Sequence, residues 1–224
     1  MGIPARDTIC QVSLPLVGCR TMVDMDTTHD TIRLAIVAGS TRVGRKSDLV
    51  ARWAATGAAT RNDLSAEIVD LAEHPLPHFD EPVPPIVGEY LHDHTRAWAD
   101  VIAPFDAFIF VTPEYNHSIP GVLKNAIDHL FAEWNDKAAG FISYGVDGGV
   151  RAAEHLRVIL GEVRVADVRR QVALSLEHDF AGWEAFEPRP EQNEVLAEML
   201  DELVSWGGAL RGLRREAGQS ALAG

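Results

Sequence analysis

From Ile32 to Leu213 the chain alternates short, nearly continuous apolar runs with stretches whose apolar residues fall at helical spacing. That alternation constrains the fold more than any other feature. A strand covered on both faces reads as an unbroken apolar run, and such strands separated by helices build an open parallel sheet with helices on each side. Ile32–Ala38 and Ala107–Val111 are the clearest runs, and the second is expected at the centre of the sheet. Ser65–Leu71, Ala138–Tyr144 and a segment within Val165–Leu176 complete a five-stranded set. Helical stripes pass through Leu49, Val50, Trp53 and Ala54, then through Leu91, Thr95, Trp98 and Ile102. Others follow at Leu123, Ile127, Leu130 and Phe131, at Ala153, Leu156, Leu160 and Val163, and from Val195 through Met199, Leu203, Trp206 and Leu210 to Leu213. With no internal repeat or break in composition, residues 31–214 are expected to form one domain, and 215–224 a frayed tail.

Residues 1–30 show no sustained periodicity and read as a disordered leader or a mis-assigned start, the true one lying near Met22 or Met25. Leu16-Val17-Gly18-Cys19 has the look of a lipobox, but Asp7, Gln11, Ser13 and Pro15 make the preceding stretch too polar for a signal segment. Arg6 stands where myristoylation requires Ser or Thr. Two cysteines, Cys10 and Cys19, make no disulfide scaffold and fit a reducing cytoplasm. A formal net charge of -13 argues against nucleic acid as a partner, because so acidic a surface repels phosphate backbones. No apolar run is long enough to span a membrane.

In an open parallel sheet ligands bind beyond the carboxyl ends of the strands, where the strand order reverses. Three loops lie there. Gly39-Ser40-Thr41-Arg42-Val43-Gly44-Arg45-Lys46-Ser47 places unpaired backbone amides at a helix N-terminus, where they and the helix dipole attract an anion. It misses the nucleotide-hydrolase P-loop by one inserted residue, Arg45, and the strand at Phe108–Val111 runs into Thr112-Pro113 with no magnesium-binding Asp. The second loop, Thr112 to Gly121, is stiffened by Pro113 and Pro120, with Tyr115 offering an aromatic face and Asn116 and the loop amides hydrogen bonds. Ser118 reads as the N-cap of the next helix. The third, Ser143 to Arg151, has Gly145, Gly148 and Gly149, which permit close backbone approach. Separately, the Glu73–Gly88 connection is long and holds Pro75, Pro77, Pro82, Pro84 and Pro85, as a functional surface loop would.

Gly39-Ser40-Thr41-Arg42, Thr112-Pro113-Glu114-Tyr115-Asn116, Pro120 through Asp128, and Tyr144-Gly145 with Gly148-Gly149 together closely resemble the NADPH-dependent FMN reductase family, with its azoreductase-, quinone- and chromate-reductase-like members. The resemblance implies a flavodoxin-like, doubly wound five-stranded parallel sheet in three layers. It implies FMN as cofactor and NADPH or NADH as hydride donor. Ser40, Arg42 and Ser47 would hold the FMN phosphate, and Pro113, Glu114, Tyr115 and Asn116 would line the isoalloxazine, largely through backbone atoms. Tyr144, Gly145, Gly148 and Gly149 would close its other edge. Flavin N5 would carry the hydride, with no catalytic side chain and no metal. The acceptor would be a quinone, azo compound, metal oxyanion or free flavin, and the assembly a homodimer or homotetramer; a partner oxygenase fits as well. Two other readings stay open, a flavodoxin-type electron carrier and a non-catalytic flavin-responsive interaction protein.

Several residues are left without a functional role. His92 and His94, two apart in a helical region, are expected to point in different directions and make a poor metal pair. His74 and His78 read as solvated, and Lys124, Asn125 and Asp128 as fixing a loop, helix or subunit contact. Arg211, Arg214 and Arg215 suit a helix C-terminus.

Overall fold

The structure, a computed structural model, describes residues 31–222, with side chains as far as Glu216. The leader 1–30, with both cysteines, lies outside them. The chain runs β1 (Ile32–Ala38), α1 (Ser47–Ala58), β2 (Leu64–Asp70), α2 (Asp93–Ile102), β3 (Ala107–Pro113), α3 (Gly121–Asp128), β4 (Lys137–Gly145), α4 (Val150–Glu162), β5 (Val165–Ser175), a small hairpin β6 (Phe180–Ala181) and β7 (Ala185–Phe186), and α5 (Glu191–Leu222). Strands β1 to β5 form one parallel sheet in the order β2-β1-β3-β4-β5. Every residue of β3 and β4 is buried, which is why their sequences are apolar on both faces rather than alternating. One face of the sheet packs on α1 and α5, through Val50, Ala54, Leu196, Met199 and Leu203. The other packs on α2, α3 and α4, through Trp98, Ile102, Leu123, Ile127, Leu156 and Leu160. This is the expected three-layer, flavodoxin-like arrangement. None of the described helices is long and apolar enough to cross a membrane.

The elements differ in detail from the sequence reading. Helix α3 stops at Asp128, so Leu130 is buried from the turn beyond it rather than from a helical stripe. Ser118 does not cap that helix; Pro120 stands at its N-cap, and the Ser118 hydroxyl instead meets His155 Nδ1 at 2.9 Å. Helix α5 runs on to Leu222, past the expected domain end at 214, and Trp206 and Leu213 face outward.

Nor do Arg211 and Arg214 sit at the end of α5. They reach from it to Asp106, which is buried just before β3: Arg211 Nε lies 2.9 Å and Arg214 Nη2 2.5 Å from Oδ1. Asp106 Oδ2 accepts the Arg33 amide at 3.0 Å, so one carboxylate ties β1, β3 and α5 at the amino ends of the strands. Burial would raise its pKa, but the hydrogen bond from Arg211 and the other donors outweigh this and hold it low. Removing one member of a buried ion cluster leaves the others uncompensated. Asp106→Asn is expected to lose roughly 3 kcal/mol of unfolding free energy, the lower end for buried pairs because both arginines keep some solvent contact. A urea titration reads this as a lower midpoint at unchanged slope.

Lys137 is buried beside this cluster, its Nζ donating to Ile102 O at 3.1 Å and Ala103 O at 2.9 Å. Burial, reinforced by Arg214, brings its pKa down to about 7. An unfolded lysine titrates near 10.4, so between roughly pH 7 and 10 the unfolded chain binds the extra proton and stability rises with pH. The expected result is a higher urea midpoint at pH 9 than at pH 7, with the increment lost in Lys137→Met.

Candidate functional site

The order β2-β1-β3 reverses the direction of winding between β1 and β3, and the loops after β1, β3 and β4 meet at that end of the sheet. Two backbone bonds continue the strand ladder into them: Gly39 N to Val111 O at 2.9 Å, and Glu114 N to Tyr144 O at 3.0 Å. A side chain on Gly39 would lie 2.8 Å from Val111 O, so glycine is what allows the first loop to leave β1 this close to β3.

These loops and the β6–β7 hairpin surround a cavity of about 360 Å³, lined by Arg42, Gly44, Arg45, Lys46, Pro113, Glu114, Tyr115, Tyr144, Gly145, Leu176, Trp183 and Glu184. Its size falls within the usual range for small-molecule sites. Arg42, Pro113, Glu114, Tyr115, Tyr144 and Gly145 are thus brought together as expected. Ser40 and Ser47 are fully buried beneath them. Ser40 Oγ pairs with the Tyr115 hydroxyl at 2.9 Å, and Ser47 Oγ donates to Ser40 O at 3.4 Å.

Asn116, Gly148 and Gly149 do not line the cavity; they shape its loops. Asn116 and His117 both have positive φ, 49° and 73°, in a tight turn closed by Tyr115 N to Ser118 O at 2.9 Å. This is the conformation of a type I′ turn, which asparagine tolerates well. Gly149 has φ 67°, and a Cβ there would lie 2.7 Å from Tyr144 N, so the third loop folds flat onto the end of β4 only because the position is glycine.

Charge is distributed unevenly around the cavity. Arg45 is paired with Asp70 at the end of β2, and Lys46 Nζ lies 2.5 Å from Glu184 Oε2, which the bond from Lys46 pulls below the usual carboxylate range. Arg42 forms no ion pair among the described residues. The Glu114 carboxylate is paired as well, accepting Arg151 Nε at 2.6 Å and the Arg151 amide at 3.2 Å at the start of α4. The Tyr144 hydroxyl is buried beside Ser47 and the Lys46 backbone, and burial, with Tyr115 nearby, pushes its pKa well above normal.

Trp183 and Glu184 were not anticipated. They sit at the tip of the hairpin, where Gly182 and Trp183 have φ 58° and 63°. Asp179, fully buried, anchors the hairpin by accepting the amides of Ser175 at 2.8 Å and Arg189 at 3.0 Å. The signal available was a lone Ala-Gly-Trp-Glu-Ala between two phenylalanines, too short for the alternation that marks strands.

The whole cavity lies within or just beyond the segment that known proteins share. The family model for NADPH-dependent FMN reductases matches residues 32–179. The chain belongs to that family. It is a flavin-dependent oxidoreductase that works with FMN and a reduced nicotinamide. Among relatives, an NAD(P)H-dependent FMN reductase of Schizosaccharomyces pombe is 36% identical over 171 residues, covering 75% of this chain and 86% of the relative. An FMN-dependent NADPH-azoreductase of Staphylococcus aureus is 34% identical over 151 residues, 65% of this chain and 78% of its own. In structure, the flavoenzyme NAD(P)H:(acceptor) oxidoreductase FerB of Paracoccus denitrificans superposes with a TM-score of 0.63 over 79% of this chain and 97% of that one, at 24% identity.

A paired substitution tests the loop geometry. Gly44 has φ 73° with nothing within 4 Å of a built Cβ, whereas Gly149 combines positive φ with a clash against β4. Gly44→Ala is expected to cost about 1–2 kcal/mol from left-handed strain alone. Gly149→Ala should cost distinctly more, and thermal unfolding of the two variants side by side measures the difference.

Proposed function

We propose that the cavity is the FMN site, and that the enzyme passes reducing equivalents from NADPH or NADH to a small acceptor: a quinone, an azo compound, a metal oxyanion or free flavin. The observation that carries this reading is the convergence of three loops, at the switch point of a parallel sheet, on one cavity whose unpaired cation is Arg42. The residues fit the cofactor. Arg42 and the amides at the start of α1 suit a phosphate, with Ser40 and Ser47 supporting that loop from beneath. Tyr115, held by Ser40, Pro113 and the backbone of Glu114 suit a flat heteroaromatic ring on one side, with Asn116 shaping the turn behind them. On the other stand Gly145 and Tyr144, whose buried hydroxyl can donate, with Gly148 and Gly149 keeping that loop low. When bound, FMN supplies the two-electron hydride chemistry. The protein positions the donor, shields the site and needs no side-chain nucleophile or metal there. Trp183, half exposed at the mouth, offers a further aromatic face.

This reading extends to a homodimer or homotetramer. Val146 and Val150, exposed beside the third loop, are apolar positions a neighbouring subunit would cover. It also places the enzyme in the cytoplasm, where Cys10 and Cys19 would stay reduced. A partner oxygenase remains compatible with release of reduced flavin as product.

An anaerobic absorbance spectrum taken after FMN loading, desalting and NADPH addition is the test. Retained flavin bands that bleach within the mixing time support the reductase. Retained flavin that neither NADPH nor NADH bleaches would point to the carrier or sensor reading, and no retained flavin would overturn the site. Arg42→Ala should weaken FMN about 10- to 100-fold, the worth of a charge-assisted phosphate contact, while riboflavin, which lacks the phosphate, binds the variant and the parent alike. Steady-state kinetics should give parallel double-reciprocal lines.

A further inference from the structure

Away from the cavity, the proline-rich loop, the start of α2 and the end of α3 bring Asp80, His94 and His129 together, with one donor atom from each lying within 4.8 Å of the others. His129 stands at the C-cap of α3 and is completely buried. Its Nδ1 lies 2.9 Å from Asn125 O, which can only accept, so Nδ1 carries the proton and Nε2 holds a free lone pair. That Nε2 is buried with no hydrogen-bond partner among the described residues. A backbone carbonyl fixing one imidazole nitrogen while the other presents a lone pair is the arrangement that orients histidine toward a metal. His94 Nε2 is already 3.0 Å from Asp80 Oδ1.

The surrounding contacts fix His129 and the loop that carries Asp80. Asn125 Nδ2 donates to Pro77 O at 2.7 Å and its Oδ1 accepts the Phe79 amide at 2.9 Å, which brings the loop bearing Asp80 onto α3. Phe79 packs edge-on against the His129 ring, 5.4 Å between centroids. Glu81, next along, is committed elsewhere: its carboxylate accepts the amides of Leu91 at 2.8 Å and His92 at 3.1 Å at the entry to α2. The expectation that His92 and His94 diverge is not met. His92 is the extended N-cap residue, so the helical rotation does not apply between them, and their rings stack 5.1 Å apart at 12°.

We propose that Asp80, His94 and His129 bind a first-row divalent cation, Zn²⁺ foremost, which fastens the proline-rich loop to α2 and α3. Two imidazoles and one carboxylate are the borderline donor set that suits zinc. Zinc–ligand bonds of about 2.0–2.2 Å need donors roughly 3.3 Å apart, so the cluster must tighten. Asp80 is exposed and His94 only partly buried, which leaves both free to turn toward the fixed Nε2 of His129. Water on the solvent side completes a tetrahedron. The site makes no contact with the flavin cavity described above and needs no flavin for its test.

The experiment uses the full chain without a histidine tag, stripped with a chelator and dialysed against Zn²⁺ or Co²⁺. One zinc per chain by elemental analysis is expected, with the strong visible ligand-field bands of four-coordinate cobalt and a rise in Tm on adding Zn²⁺. Asp80→Asn and His94→Ala, both near the surface, should each weaken binding by more than about 100-fold, beyond the effect of an outer-sphere change, and abolish the Tm shift. His178→Ala, exposed elsewhere, should behave like the parent protein. His129→Gln tests the buried ligand if circular dichroism shows it folded; the two surface variants decide the matter otherwise. Substoichiometric metal in the parent, weak six-coordinate cobalt bands, or undiminished binding in both surface variants would overturn the proposal.

Discussion

The site depends on the strand ladder of β1, β3 and β4 continuing past the ends of the strands. Gly39 N on Val111 O and Glu114 N on Tyr144 O carry sheet geometry one residue into each loop, so the loops inherit the spacing of the strands beneath them. Neighbouring strands lie about 4.8 Å apart, a span that lets three adjacent loops address one planar ligand. The burial of every residue in β3 and β4 makes that platform stiff, since an exposed central strand would be free to fray. The second and third loops are referenced to this frame: Tyr115 through Ser40, Glu114 through Arg151, and the third loop through the close approach of Gly149 to Tyr144.

An acidic protein that binds an anion has to manage its own cations. Three basic side chains stand in the first loop, and the structure treats them differently. Arg45 and Lys46 are each matched with a carboxylate, and both pairs reach across elements: to the end of β2 in one case, to the hairpin tip in the other. Those pairs set the loop's shape. Arg42 makes no ion pair among the described residues, which is what the proposed phosphate contact requires. The same logic explains Glu114, a carboxylate that would repel an anion or an electron-rich ring edge if it stood uncompensated. Its pairing with Arg151 offsets its charge and braces the start of α4.

The sheet, its order of elements and the three loops were legible in the sequence because each rests on a local rule. Apolar runs covered on both faces, glycines at turns and a Pro-Glu-Tyr-Asn block after the strongest strand need only near neighbours to be read. What stayed hidden was set by tertiary contact. The Trp183 hairpin is two residues a side, stable only because Asp179 anchors its base and Phe180 and Phe186 pack on the core side. Ser118 looked like a cap, yet its hydroxyl is claimed by His155 on another helix. Arg211 and Arg214 looked like dipole partners for a helix end, but α5 does not end there, and the buried charge of Asp106 draws both inward. The stacking of His92 on His94 depended on where α2 begins, and helix boundaries are the least legible feature of a sequence.

The run Leu123-Lys124-Asn125-Ala126-Ile127-Asp128-His129 shows how one short helix serves two distant ends. Its apolar members, Leu123 and Ile127, seat α3 on the sheet, and Leu123 also packs under Gly39 at the root of the first loop. Lys124 and Asp128, four apart, pair along its outer side at 2.6 Å. Asn125 faces the other way, holding Pro77 and Phe79 by its side chain while its carbonyl accepts from His129. Because α3 starts directly after the second loop of the cavity and ends in the histidine cluster, its position is fixed from both sides. The proline-rich loop and the loop of Tyr115 are therefore anchored to opposite ends of the same eight-residue helix, which sets their separation.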